Sequence, residues 1–548
     1  MEPEKKTTET DTAVTEAQLP HTTTQTTATD NEKPTAAPAT RERTIRGFKW
    51  LLVISAILSN LLLYAIDNTI VAVIQPVIVR EFGHIQDLPW ISVGFLMSGT
   101  ATALVSGKLF GAFDAKILYI LYSLLFLVGS AISGAAPTLA AVIVGRVIGG
   151  IGGTGMYLGA LTLISVNTTP TETSQYMGYL ALVWGFGSVI GPLIGGAFAG
   201  SSATWRWGFY INVVIVGVCI FAYLFLLPPY KPQPNTKVSA RLKKIDWVGG
   251  VISMGALSSL IMVVNFGGTL YAWSSGSMIA LITVAGLALI AFMVQQYFKI
   301  CTTGDLRLLA IELLAAKDMA VCFICQVMVA MIVPIPLYFI PLFFELGKGD
   351  SPVRAGVKTL PLIVFWVTSS ALRGHLMPRF KWYQSWYIAG SMLNIVAGVL
   401  LSKITLDTPD RHIYGFEILS GVGTGCFGQA GFAVAQRLVP KAAMHKAISL
   451  MLIAQLSGTT LGLAIGGAIF QNISLSRVRD IVPSFSAEQI SGLIAGVADS
   501  TNGSLTEMQR VQITTAIATA SANCYVVIYA AAAISLVCSL FFTPRKLW

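Results

Sequence analysis

Fourteen apolar runs of roughly twenty residues follow one another between Trp50 and Leu540, each long enough to cross about 30 Å of hydrocarbon at 1.5 Å per residue. A backbone in lipid must satisfy its own polar groups, so the runs read as helices and the chain as an all-α polytopic membrane protein. Composition agrees, with 54% of the 548 residues hydrophobic and 11% charged, against roughly a quarter charged in a soluble domain. That excludes soluble enzymes, secreted disulfide scaffolds and nucleic-acid binders, and it makes the net charge of +10 a question of topology first. The seven cysteines lie mainly inside apolar runs and imply no disulfide framework.

The spans are predicted near 48–73, 89–113, 117–136, 139–166, 173–200, 206–228, 247–266, 277–298, 318–344, 353–377, 384–402, 412–437, 443–471 and 523–543. Residues 1–46 are rich in threonine and poor in large apolar side chains, which predicts a disordered cytosolic tail. A six-helix bundle is expected over 47–228, a linker with two extra helices over 229–300, and a second six-helix bundle over 301–548 with a long outer loop at 472–522. With the tail in the cytosol, about two thirds of the Lys and Arg residues fall on the cytosolic side, including Lys231, Lys237, Arg241, Lys243 and Lys244 of the linker. Arg146, Lys358 and Arg373 fall within spans. The sequons at Asn472 and Asn502 then lie outside, where they can accept N-glycans.

Two patterns recur 271 positions apart. Arg146-Val-Ile-Gly149-Gly150-Ile151-Gly152 in the fourth span is echoed by Glu417-Ile-Leu-Ser420-Gly421-Val422-Gly423 in the twelfth. Gly187-Ser-Val-Ile-Gly191-Pro192-Leu-Ile-Gly195-Gly196 in the fifth is echoed by Gly458-Thr-Thr-Leu-Gly462-Leu-Ala-Ile-Gly466-Gly467 in the thirteenth. A repeat of six spans separated by two more gives a 6+2+6 architecture, and parallel repeats around a midplane site are a secondary-transporter design.

Gly187, Gly191 and Gly195 share one helix stripe that allows a neighbour to approach closely, with Pro192 interrupting the ladder; Gly458 and Gly462 repeat it. The stripe suits either a helix that rocks during gating or ordinary packing. Charges within spans cost about 2.5–3.5 kcal/mol on insertion scales and face a cavity or a partner. Asp67, in an apolar run, is a candidate proton carrier, because an isolated carboxylate there is disfavoured as a charge; a solvated residue at the outer mouth is the alternative. Arg146 can hold a carboxylate or a substrate oxygen, and its repeat-mate Glu417 can titrate. Each needs a partner: the other, the substrate, or for Arg146 the Asp67 carboxylate. Gln429 and Gln436 offer hydrogen bonds to a substrate or between helices. Literal dinucleotide fingerprints at Gly150 and Gly423 lie inside spans rather than at a strand-to-helix turn, and the pair Cys322 and Cys325 has no second ligand pair. No catalytic residues, cofactor or metal are expected.

These residues resemble the major facilitator superfamily, and more narrowly its fourteen-span drug:proton antiporters in the fungal toxin and multidrug efflux branch. The antiporter signature G-x-x-x-G-P-x-x-G-G is complete at Gly187, Gly191, Pro192, Gly195 and Gly196, and R-V-x-x-G-x-G at Arg146, Val147, Gly150 and Gly152. The runs Ile66-Asp67-Asn68-Thr69-Ile70-Val71, Trp205-Arg206-Trp207-Gly208-Phe209-Tyr210-Ile211-Asn212 and Arg354-Ala355-Gly356-Val357-Lys358-Thr359-Leu360-Pro361 are similar to further family segments. One loop departs: where the superfamily carries G-x-L-A-D-R-x-G-R-K, this chain reads Gly107-Lys108-Leu109-Phe110-Gly111-Ala112-Phe113-Asp114-Ala115-Lys116, so the usual charge latch is weakened or rebuilt from Asp114 and Lys116. The resemblance implies proton-driven export of a small, largely apolar molecule by a monomer in the plasma membrane or a vacuolar or vesicle membrane. It places Asp67 and Arg146 in the coupling path and the glycines in gating. The rival readings are an importer, such as a siderophore symporter, and a membrane receptor that has kept a transporter fold.

Overall fold

The computed structural model describes residues 45–82, 88–199, 201–267, 271–304, 306–440, 443–494, 505–544 and 547. The N-terminal tail up to residue 44 and the sequon at Asn502 lie outside these residues. Among them fourteen helical segments are long and apolar enough to cross a bilayer.

The first half contains α1 (Gly47–Phe82), α2 (Leu88–Ala112), α3 (Ala115–Ala135), α4 (Leu139–Asn167), α5 (Pro170–Ala199) and α6 (Trp207–Leu226). A short α7 (Val238–Lys243) lies in the basic linker and is followed by the extra spans α8 (Trp247–Phe266) and α9 (Gly276–Phe298). After α10 (Ile311–Leu314), the second half opens with α11 (Lys317–Ile332) and α12 (Pro334–Leu342), which a π turn at Phe343–Gly347 completes into one span. It continues through α13 (Pro352–Lys358), α14 (Leu360–Phe380), α15 (Tyr383–Leu401), α16 (Asp410–Phe427), α17 (Ala430–Arg437), α18 (Met444–Ile481), α19 (Ala487–Ile494), α20 (Glu507–Cys524) and α21 (Val526–Leu540). Side-chain caps set several starts: Asp114 accepts from the Lys116 amide, Thr138 from Ala141, Asp246 from Gly249 and Ser275 from Met278. Fourteen crossings return the chain to the side on which α1 begins, here called the terminus face.

Packing repeats between the halves. The glycine stripe of α5 lies on α1: a Cβ at Gly187 would meet Ala65, one at Gly191 the Thr69 hydroxyl, and one at Gly195 the Ile70 side chain at 2.8 Å. The stripe of α18 lies in the same way on α11, with Gly458 against the Val327 carbonyl and Gly462 against the Met331 backbone at 2.5–3.1 Å. Both stripes therefore join the first and fifth spans of one half. Gly196 lies off this seam, a Cβ there meeting only Val73 at 4.0 Å, and Pro192, one turn before it, is exposed, with α5 continuing through it. The extra spans pack on each other, and α8 also packs on α2.

Three expectations change. The described residues of 472–522, expected as a long outer loop, are mostly helical: α18 carries on to Ile481 with Asn472 exposed on it, α19 follows, and α20 already starts at Glu507, with a capping box at Thr506 and Gln509. The last span accordingly begins well before residue 523, because polar Gln and Thr residues hide the continuity of α20 from an apolar scan. Lys358 is not inside a span. It ends α13, and Pro361 opens α14 as a separate helix, because proline lacks the amide a continuous helix would need.

Candidate transport site

Helix α1 presents Asp67 toward α4 and α6, where the carboxylate is 1% exposed. Arg146 of α4 forms an ion pair with it through Nη1, and Asn212 of α6 donates from Nδ2 to Oδ1 at 2.9 Å and to the Ser130 hydroxyl at 3.2 Å. The guanidinium is held further by Nε donating to the Ile91 carbonyl at 3.1 Å and by the Phe95 ring, 4.0 Å from its carbon. Asp67 is thus neither isolated nor solvated at a mouth. Its charge is matched by a cation and an amide, which offsets the cost of burial. The Trp205–Asn212 segment serves the same junction, since Trp205 Nε1 and Arg206 both bond Glu81 on α1, at 2.6 and 2.9 Å.

Glu417, at the repeat-equivalent position on α16, is 0% exposed, and neither oxygen has a hydrogen-bond partner among the described residues. The Leu362 backbone and Tyr525, whose hydroxyl is likewise unpartnered, face it. Arg146 and Glu417 do not meet in this structure. Arg373 is also fully buried in the second half, with Nε and Nη2 lacking a hydrogen-bond partner among the described residues and Nη1 4.0 Å from the Met377 sulfur.

Near Asp67 the Phe95 ring also touches Tyr64, with centroids 5.9 Å apart, and Tyr64 in turn packs on Tyr157 at 6.1 Å and Trp184 at 5.4 Å. The Tyr157 hydroxyl crosses to the other half and donates to Gln455 Oε1 at 3.3 Å. Gln429 stands by the same tyrosine. It does not share a continuous helix with Glu417, because α16 ends at Phe427 and Gln429 precedes α17 at φ −108°, ψ 5°. Gln436 sits buried in α17, with no hydrogen-bond partner for either amide atom among the described residues. Sequence reading missed the aromatic cluster, Gln455 and the role of Asn212. A lone asparagine in the most apolar span of the first half was a signal for the last of these.

The halves meet tightly toward the terminus face. There Gly178 of α5 approaches the Ser370 carbonyl of α14, Gly374 of α14 approaches the Ser174 carbonyl of α5, and Gly107 and Gly111 of α2 receive Ser449 and His445 of α18. Asp114 and Lys116 do not rebuild a latch between the halves. Asp114 caps α3 and accepts from the Tyr230 amide at 3.2 Å, while Lys116 donates to the Leu224 carbonyl at 2.7 Å. On the far face Lys348 and Lys358 both bond Asp410, at 2.6 and 2.7 Å, and Lys358 bonds Asp350 at 2.5 Å. Burial works against the Lys358 ammonium, but these carboxylates outweigh it and hold its pKa above the usual lysine value. Cys322 and Cys325 are buried free thiols of α11, and no cluster of three metal-ligating side chains occurs among the described residues.

Residues 57–463 match the family model of the Major Facilitator Superfamily. The phomenoic acid biosynthesis cluster MFS-type transporter of Leptosphaeria maculans is 40% identical over 524 residues, covering 92% of this chain and 83% of the relative. The efflux pump DEP3 of Fusarium langsethiae is 41% identical over 500 residues, covering 91% of both chains. Among solved structures, the fold matches the human organic anion transporter MFSD10 with a TM-score of 0.57 at 11% identity, over 91% of this chain and all of that one. It matches the proton:xylose symporter XylE with a TM-score of 0.57 at 12% identity, over 91% and 98%. With its repeated six-helix halves and two added spans, this multi-pass membrane protein belongs to the major facilitator superfamily of transporters.

Proposed function

We propose that this chain exports a small, largely apolar organic compound across the plasma membrane by alternating access, in exchange for protons, with both termini in the cytosol. One observation carries the reading. The two halves hold buried carboxyls of opposite character, Asp67 saturated by Arg146 and Asn212 and Glu417 without a side-chain hydrogen-bond partner among the described residues, and an aromatic cluster of the first half reaches Gln455 of the second through Tyr157. A proton carrier must meet its proton without a competing cation, and Glu417 is so placed in this conformation. Asp67 can accept one only when Arg146 lets go, which ties its titration to a change of conformation.

The rings of Tyr64, Tyr157 and Trp184 suit a flat or apolar solute, and Gln429 and Gln455 supply a few directed hydrogen bonds. Closure toward the terminus face corresponds to a state shut to the cytosol. The glycine stripes let α5 and α18 shift against α1 and α11 with little steric resistance. The relatives named as an efflux pump and as part of a biosynthesis cluster support outward transport of a secondary metabolite. One pH unit contributes about 1.4 kcal/mol per proton and 100 mV about 2.3 kcal/mol per charge, together enough for gradients on the order of hundreds-fold.

The test uses the purified protein in liposomes with a fluorescent apolar probe. An acid-inside gradient is expected to drive probe accumulation that a protonophore abolishes. Glu417→Gln should keep probe-for-probe exchange and lose the response to the gradient. An unchanged response in that variant clears Glu417, and no gradient-driven movement in the parent protein removes proton coupling altogether.

A further inference from the structure

The second half breaks its fourth span opposite the aromatic cluster of the first. Helix α16 ends at Phe427, and Gly428 and Gln429 form a turn before α17. Three buried polar side chains from separate segments gather at this turn. Trp366 of α14, Gln326 of α11 and Gln429 itself are 5%, 2% and 8% exposed. A Cβ on Gly428 would stand 3.7 Å from Trp366 Nε1, and one on Gly431 would collide with Gln326 Oε1. The Gln326 amide also donates from Nε2 to the Gly428 carbonyl at 3.3 Å. Gln429 lies beside the Tyr157 hydroxyl, which comes from the other half. Yet Trp366 Nε1, Gln326 Oε1 and Gln429 Oε1 each lack a hydrogen-bond partner among the described residues. Buried groups of this kind are normally paired, and leaving one unpaired is costly. Here one donor and two acceptors go unpaired around a single turn, on the wall that faces Tyr157.

From this juxtaposition we infer that the exported solute carries a hydroxyl group, which accepts from Trp366 Nε1 and donates to the carbonyl oxygen of Gln429 or Gln326. An indole N–H can only donate and an amide oxygen can only accept, so the complementary group must do both. A hydroxyl does so without charge, and all three protein groups are neutral. The rings of Tyr64, Tyr157 and Trp184 then cover the apolar body of the solute, while the turn after α16 reads its polar end. Interrupted helices supply polar contacts of this sort in transporters because their backbone and flanking side chains are not committed to one continuous helix. The inference rests on the reading of this seam as the solute site. It adds a requirement that apolar character alone does not impose: a site built to hydrogen-bond a hydroxyl discriminates against an analogue that lacks it, since its own groups are then left unpaired.

Two probes of nearly equal shape test it, 1-pyrenemethanol and 1-ethylpyrene, which differ by a hydroxyl in place of a methyl group. Apparent affinities are read from the rise of the unfolding temperature of the full chain in neutral detergent as each probe is added. The alcohol is expected to bind about tenfold more tightly than the ethyl analogue. Trp366→Phe and Gln429→Leu should each bring the two probes to within about threefold of each other, mainly by weakening the alcohol. Comparing the ratio of affinities between parent and variant cancels the partitioning of the probes into detergent. Without probe, both variants should unfold at or above the parent temperature, because each removes an unpaired buried group. Equal binding of both probes by the parent chain, or a ratio that neither variant alters, overturns the inference. So does an unfolding temperature lowered in both variants without probe, which would assign these groups a structural partner. Binding of neither probe removes the solute site and this inference with it. A failure of gradient-driven transport, by contrast, removes proton coupling and leaves the preference for the alcohol standing.

Discussion

The two six-helix halves repeat one helix-packing plan and differ in how they treat buried charge. In each half the fifth span lays a glycine stripe on the first. In the first half the charge behind that stripe is compensated, Asp67 by Arg146 and Asn212 and Arg146 also by Ile91 and Phe95. In the second, Glu417 has no partner among the described residues, and Arg373 leaves two nitrogens unmatched. Close helix approach needs only small residues at fixed spacing and survives duplication. A charge is tolerated only with specific partners, so each half had to solve that problem separately.

Removing one member of the compensated pair breaks the contrast most severely. Arg146→Gln is expected to destabilise the first half by about 3–5 kcal/mol, because it strands a buried carboxylate. Asp67→Asn in the same chain should recover part of the loss, as read by thermal unfolding in detergent. Arg146→Gln and Glu417→Gln should instead add, since those residues do not meet. A non-additive cycle for that second pair would refute the separation of the two sites.

The shared part of the plan gives a smaller effect. Gly191→Ala and Gly462→Ala should each cost about 1–3 kcal/mol through overpacking against Thr69 and Met331. Gly467→Ala, with nothing within 4 Å of its Cβ, should be silent. If Gly191 and Gly462 variants unfold at the parent temperature, the stripes are not close-packed seams.

Glu417→Gln should change the unfolding free energy by less than about 1 kcal/mol, since an amide of the same shape replaces a carboxyl that has no side-chain partner among the described residues to lose. A large destabilisation would reveal a partner and end the contrast with Asp67.

The smallest effect concerns the far-face cluster. The pKa of Lys358 is raised in the folded state, so its contribution is fully present below the ordinary lysine value of 10.5 and is lost only as pH rises through the higher folded value. Lys358→Met should therefore narrow the stability difference from the parent chain only above about pH 10.5. A difference that disappears near neutral pH contradicts the ion pairs with Asp350 and Asp410.

Much of the architecture was legible in the sequence, because hydrocarbon thickness fixes span length and the 271-residue offset identifies the halves. The boundaries that failed did so for local reasons. The polar start of α20 carries no apolar signal, and Pro361 divides what looked like one span into α13 and α14. Asp67, Arg146 and Glu417 stood out individually as charges in apolar runs, yet their pairing did not.

By itself the sequence determined the number of crossings, the repeat and the close-packing stripes, all of which depend on composition and spacing along one helix. Only the tertiary structure decided that Arg146 belongs to Asp67 rather than to Glu417, that Asn212 completes the pair, and that Gln326, Trp366 and Gln429, far apart in the chain, gather at the turn after α16. Those outcomes depend on which helix faces come together. Several neighbours could offset each buried charge equally well, and only the packing of the whole bundle selects among them.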